Sequence, residues 1–282
     1  MWDHSEQTQI LPVEFCRDDD HIWDLPSAQT QGEYKEENFW SWYRGDTLLK
    51  IPISIIDRLP QNGSIARDVL AFLSQKFLVQ KDHYPILQVS FRSIANGIGT
   101  SFNGERAKEI ENALYYLSFL RLFGNFYMVQ SKRIKRKITY GFLDWISRID
   151  EIDGKKVRFN RIVTTLKLND IYAANLSSHQ IPKAPIPVAA LEVANKSPPR
   201  YIGPVKNLIY RFAALVPRFT SHKYKLTTLA EIAGFKTVRP DRLRKSIESS
   251  LEILYPIMLQ NYTYLPDEDV YQIVLAGRRC GE

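Results

Sequence analysis

Two stretches of the chain read alike: Ser93-Ile94-Ala95-Asn96-Gly97-Ile98-Gly99 and Thr228-Leu229-Ala230-Glu231-Ile232-Ala233-Gly234. The offset from Ser93 to Thr228 is 135 residues and holds throughout. Each stretch predicts a short amphipathic helix with an alanine on its inner face and a glycine where the helix must stop. A small residue for close helix contact and a glycine turn are what the first helix of a helix-turn-helix requires.

The flanks repeat too. Upstream, Ile65, Val69, Phe72 and Leu73 mark one apolar helix face, with Ser64 as its expected cap, and Val205, Leu208, Ile209 and Phe212 mark another. Downstream, Ile110, Leu114 and Leu117 recur at helical spacing, as do Leu243, Ile247, Leu251 and Leu254. Strand-like sequence follows each: 125–129 and 138–142 in the first copy, 262–264 and 270–275 in the second. Helix, helix, turn, helix and two-stranded wing is the winged-helix order. The expectation is an α+β fold, mainly helical, with two tandem winged-helix domains. Strand-like 157–168 and helix-like 168–176 are expected to extend the first of them.

A length of 282 residues suits two domains. Residues 1–45 hold ten acidic and three basic side chains, with Trp2, Trp23, Trp40 and Trp42 among them, and read as an acidic arm. The first winged helix is expected over 46–181. Prolines 182, 185, 187, 198, 199 and 204 then punctuate the chain, so 182–204 reads as a linker into a second winged helix over 205–282. The formal charge of +7 is therefore uneven: −7 over 1–45 and +14 over the rest. A basic body suits a phosphate-rich partner. Two cysteines, Cys16 and Cys280, are too few for a disulfide framework and point to a reduced, cytoplasmic setting. No apolar run is long enough to span a bilayer.

Candidate DNA contacts fall in three places. Lys132, Arg133, Lys135, Arg136 and Lys137 form a dense basic run, expected at the tip of the first wing beside the DNA backbone. Arg239, Arg242, Arg244 and Lys245 open the second recognition helix, the end that enters a major groove. There Arg reads guanine bidentately while Lys more often holds phosphate. In the first copy, Asn103 is a candidate cap, and Arg106 and Lys108 are candidates for the DNA face; Glu109 and Glu111 dilute that face.

Enzymatic signatures are missing. No Gly-x4-Gly-Lys-Ser/Thr occurs, and Gly97, Gly99 and Gly104 lack dinucleotide-binding spacing. The five histidines are scattered, and Cys16 with His21 and Asp18–Asp20 lacks the paired spacing of a zinc site. The expectation is a non-enzymatic protein without cofactor or metal.

From Ile86 through Gly104 and on to Leu117, and again from Arg200 to Leu254, the chain resembles TrfA/RepE-type plasmid replication initiators. Those proteins share the glycine turn, the Ser-x-Asn-Gly step at Ser101–Gly104 and a basic stretch opening the second recognition helix. The resemblance implies binding to repeated origin sites (iterons) in double-stranded DNA, origin opening and recruitment of host helicase or initiator proteins. It implies dimers that do not activate the origin, and a bacterial, plasmid- or nucleoid-associated location. Carried to this chain it points to Asn103, Gly104, Arg106 and Lys108 in the first helix and Arg239, Arg242, Arg244 and Lys245 in the second. A winged-helix transcriptional regulator on a promoter operator is the alternative; an interaction scaffold that binds protein is a third reading.

Overall fold

Strand β1 (Thr8–Pro12) and helix α1 (Val13–Arg17) open the described chain, yet they pack with its other end. A computed structural model describes residues 8–17, 23, 34–36, 38–44, 47–60, 63–80, 84–128, 134–148, 151–152, 155–156, 163–179, 181–215, 221–235 and 239–276. It divides into two units, Asp18–Pro182 and Met1–Arg17 with Lys183–Glu282.

The Asp18–Pro182 unit runs β2 (Tyr34–Glu36), β3 (Phe39–Arg44), β4 (Thr47–Pro52), a 3-10 helix (Ile53–Arg58), α2 (Gly63–Val79), β5 (Ile86–Ser90), α3 (Phe91–Gly97) and α4 (Gly104–Phe119). It continues with β6 (Arg121–Met128), β7 (Ile134–Tyr140), β8 (Leu143–Arg148), β9 (Glu151–Ile152), β10 (Lys155–Lys156), β11 (Val163–Leu168) and α5 (Asp170–Ser177). The other unit adds β12 (Lys183–Pro187), α6 (Val188–Lys196), α7 (Pro199–Leu215), β13 (Ser221–Lys225) and α8 (Leu226–Ala233). It ends with α9 (Pro240–Leu254), β14 (Leu259–Leu265), a 3-10 turn (Pro266–Glu268) and β15 (Val270–Leu275).

Both units contain the same winged helix. In the first, α2, β5, α3 and α4 precede a three-stranded antiparallel sheet in the order β5-β11-β8. In the second, α7, β13, α8 and α9 precede a sheet in the order β13-β15-β14. In each, the strand before the helix-turn-helix pairs with the last strand of the wing. The repeat read from sequence is thus a repeat of topology.

Local chemistry explains the helix-turn-helix. Ser90 and Ser93 cap α3 reciprocally, each backbone N–H donating to the other's Oγ at 3.1 Å. Gly99 and Gly234, the matched glycines of the repeat, both sit left-handed, at φ 70° and 79°. Gly97 serves a different need, since a Cβ there would lie 2.1 Å from the Phe72 ring of α2. The predicted core faces are buried at Ile65, Val69, Phe72, Leu73, Ile110, Leu114 and Leu117 in one unit, and at Val205, Leu208, Ile209, Phe212, Ile247, Leu251 and Leu254 in the other, while Leu243, in the first turn of α9, is only half-buried. Ser64 lies inside α2 instead of capping it.

Three expectations are corrected. The first wing is β8–β11, with the β9–β10 hairpin in its connection, not the hairpin over 125–142. That earlier hairpin, β6–β7, is an insertion between recognition helix and wing, and it joins a five-stranded sheet in the order β2-β3-β4-β6-β7. The basic run therefore does not tip the wing: Lys135, Arg136 and Lys137 lie on β7, while Lys132 and Arg133 fall outside the described residues.

The described parts of the expected acidic arm are built into the fold. Strand β1 is buried along its whole length against β12, Phe15 and Cys16 are buried, and Trp23 stacks on Phe142 at 5.7 Å. The proline-rich 182–204 holds β12, α6 and the first turns of α7. Pro185 and Pro187 face Ile10 and Thr8, two register steps apart, so one phase of the ladder spares both missing N–H groups.

Candidate nucleic-acid interface

Helix α4 starts at Asn103, whose side-chain Oδ1 accepts the Arg106 N–H at 2.7 Å. Asn103 is thereby spent on the helix start, as sequence predicts for a cap. Gly104 opens the helix with nothing within 4 Å of the place a Cβ would occupy. Arg106 is partly exposed and Lys108 exposed on the outer face, with Glu105 exposed beside them. Farther along, Glu111 turns to the wing and holds Arg148 of β8 in an ion pair. Glu111 thereby ties α4 to β8.

Sequence reading missed Arg92, exposed near the start of α3 with its guanidinium carbon 5.6 Å from the Phe102 ring centre. It also missed Lys155, exposed on the wing hairpin, with Lys156 next to it on β10. The signal was there in Asp153-Gly154, a dipeptide typical of hairpin turns, followed directly by Lys155 and Lys156.

In the second winged helix, Arg239 is the N-cap residue of α9 and Pro240 its first residue, where a missing N–H is harmless. Arg239, Arg242 and Lys245 are exposed on the helix's opening turns. Arg244, one residue away, is differently employed. Its Nε donates to Glu248 at 2.9 Å, and its guanidinium carbon lies 4.1 Å from the centre of the Tyr264 ring on β14. Its hydrogen bond to the Glu248 carboxylate makes Arg244 hold its proton more tightly than usual. Tyrosines continue this seam: Tyr271 donates to Glu248 at 3.2 Å, and Tyr262 to Glu252 at 2.7 Å. Burial, then the Glu252 bond and charge, push the Tyr262 hydroxyl up to about 12.

The second wing ends in Pro266-Asp267-Glu268-Asp269. Its carboxylates are engaged locally, Glu268 with Lys223 at 2.8 Å and Asp269 with the Tyr264 hydroxyl at 2.7 Å. A negative tip is repelled by phosphate, so the two wings differ: lysines on one, acids on the other.

Among the described residues no group of three or more His, Cys, Asp or Glu side chains could hold a metal, and no helix is long and apolar enough to cross a membrane. No protein-family model matches the chain. No curated protein matches it in sequence. Solved structures of domains 2 and 3 of RctB are similar to it. A selenomethionine derivative matches with TM-score 0.49 and 12% identity, covering 94% of this chain and 98% of that one. A second structure of the same domains gives TM-score 0.49 and 10% identity over 92% and 96%.

Proposed function

We propose that the chain is a sequence-specific, non-enzymatic double-stranded-DNA-binding replication initiator. In this reading it binds repeated sites at a plasmid origin, promotes opening of the adjacent duplex and recruits host helicase or initiator proteins, with a homodimer as an inactive form. The observation that supports it is the duplicated winged helix, each copy presenting exposed cations on the opening turns of its recognition helix. The resemblance of 86–117 and 200–254 to TrfA/RepE-type initiators supports the origin-specific part.

Arg239, Arg242 and Lys245 carry base reading and phosphate contact in the second copy, and Arg106, Lys108 and Arg92 do so in the first. The first wing adds Lys155 and Lys156 as backbone contacts. The test is anisotropy binding to duplexes tiled across the DNA flanking the chain's own gene, against random duplex, over several salt concentrations. A site preferred by about 10³-fold or more supports specific reading. Tandem copies of that site favour the initiator, and a single promoter-proximal operator the regulator. Equal, weak binding everywhere defeats both and leaves the protein-binding scaffold.

A further inference from the structure

A cavity of about 230 Å³ lies between recognition helix α4 and the sheet of the first wing, within a single unit of the chain. Its walls are apolar: Phe91 from the start of α3, Leu114 and Tyr115 from α4, and Ile146 from β8. Three polar side chains line the same space, Glu111 from α4, Arg148 from β8 and Thr164 from β11. Sites for drug-sized ligands run from ~300 Å³ upwards, so this one has the size for a small metabolite.

Thr164 and Arg148 are direct cross-strand partners, so their Cβ atoms stand ~5 Å apart on one face of the sheet. A hydroxyl and a guanidinium are thus neighbouring donors. Thr164 is 1% exposed, and among the described residues its Oγ1 has no hydrogen-bond partner. A buried hydroxyl in that state calls for a ligand or a water. Across from these donors, Glu111 holds Arg148 in its ion pair, with the two side chains 22% and 24% exposed. A pair that open to solvent adds little stability and parts at small cost.

We propose that this cavity binds a free α-amino acid with an apolar side chain. Its carboxylate takes the Arg148 guanidinium and the Thr164 hydroxyl as donors, its ammonium takes Glu111, and its side chain lies among Phe91, Leu114, Tyr115 and Ile146. Entry parts the Glu111–Arg148 pair and re-forms each half on the ligand. Charge selects this class. A simple anion gains the two donors but meets Glu111, and a simple cation gains Glu111 but meets Arg148. An uncharged molecule leaves the pair closed and the Thr164 hydroxyl unsatisfied. Only a molecule with both charges answers all three groups. The site's standing is independent of duplex reading, because a titration without DNA reads it.

The test is isothermal titration calorimetry of the full chain with L-leucine and L-phenylalanine. Saturable binding of at least one, with a dissociation constant of about 1 mM or tighter, is the expected result. Three analogues dissect it: isocaproate lacks the ammonium, isoamylamine lacks the carboxylate, and glycine lacks the apolar body. Each should bind about ten-fold more weakly or worse than the better amino acid. No saturable binding by either amino acid overturns the proposal and leaves the cavity as a solvent-filled gap between helix and wing. Binding of isocaproate or isoamylamine as tight as that of leucine overturns it too. Thr164→Val keeps the side-chain shape and should weaken the amino acid about five-fold or more; unchanged affinity removes the hydroxyl from the site and defeats the assignment. Glu111→Gln should weaken the amino acid and strengthen isocaproate, since it deletes the charge that repels a lone anion. Equal losses for both ligands in that variant would mean that Glu111 only supports the fold, and the proposal would fall.

Discussion

The guanidinium of Arg244 lies 4.1 Å from the centre of the Tyr264 ring, so a cation of the recognition helix is held by the wing of its own module. Glu248 completes the clamp at 2.9 Å. These contacts give Arg244 a positioning role for α9, and the prediction is that Arg242 contributes more to DNA reading than Arg244 does. Arg244→Ala should lower duplex affinity by no more than about three-fold, whereas Arg242→Ala should lower it by about ten-fold or more and relax discrimination among sites. Titration of both variants against a preferred and a random duplex decides the matter. Equal losses would place Arg244 on the DNA.

The glycines that mark the repeat make a matched pair. With φ at 70° and 79°, Gly99→Ala and Gly234→Ala should each destabilise the chain by about 1 to 2 kcal/mol, because a Cβ clashes with the following carbonyl in that conformation. Urea unfolding of the two variants checks this. An unchanged midpoint in either would show that its turn relaxes freely.

Thr164 lies 1% exposed in the first wing sheet, between Val89 and Arg148, and among the described residues its Oγ1 has no hydrogen-bond partner. A buried hydroxyl without a partner carries its full desolvation penalty. Thr164→Val keeps the shape and removes the penalty, so it should raise stability by about 1 kcal/mol. Lower stability in the variant would mean that the hydroxyl is satisfied in solution.

Alkaline pH should loosen the second module. Tyr262 has its hydroxyl raised from 10.0 to about 12, by burial first and then by Glu252. The folded state thus holds a proton that the unfolded chain releases earlier. This contribution is intact below pH 10 and is lost as pH climbs towards about 12. Unfolding free energy measured across that window should fall with pH, and less steeply in Tyr262→Phe. Identical slopes would place the loss on other groups.

Much of this architecture was legible in the residues. The 135-residue offset between Ser93 and Thr228, the apolar faces of α2, α4, α7 and α9, and the cap at Asn103 all follow from local periodicity and turn chemistry. The wing assignment was not legible. A hairpin directly after the recognition helix is what a winged helix calls for, and β6–β7 satisfies that description locally. Only the pairing of β6 with β4, more than 70 residues earlier, removes it from the wing, and no local pattern encodes a partner that distant. Arg244 was legible in half: its i,i+4 pair with Glu248 is a local pattern along α9, whereas its other partner, Tyr264, lies on another element.

Strand β1 finds its partner in β12, with Leu11 facing Ala184 and both fully buried. The unit that holds them is interrupted by everything from Asp18 to Pro182. During synthesis the first strand must therefore wait, unpaired, while the ribosome completes the whole intervening unit. A fragment beginning at Lys183 would lack one strand of its own sheet. The seventeen residues before the insertion belong, in folding terms, to the last hundred of the chain.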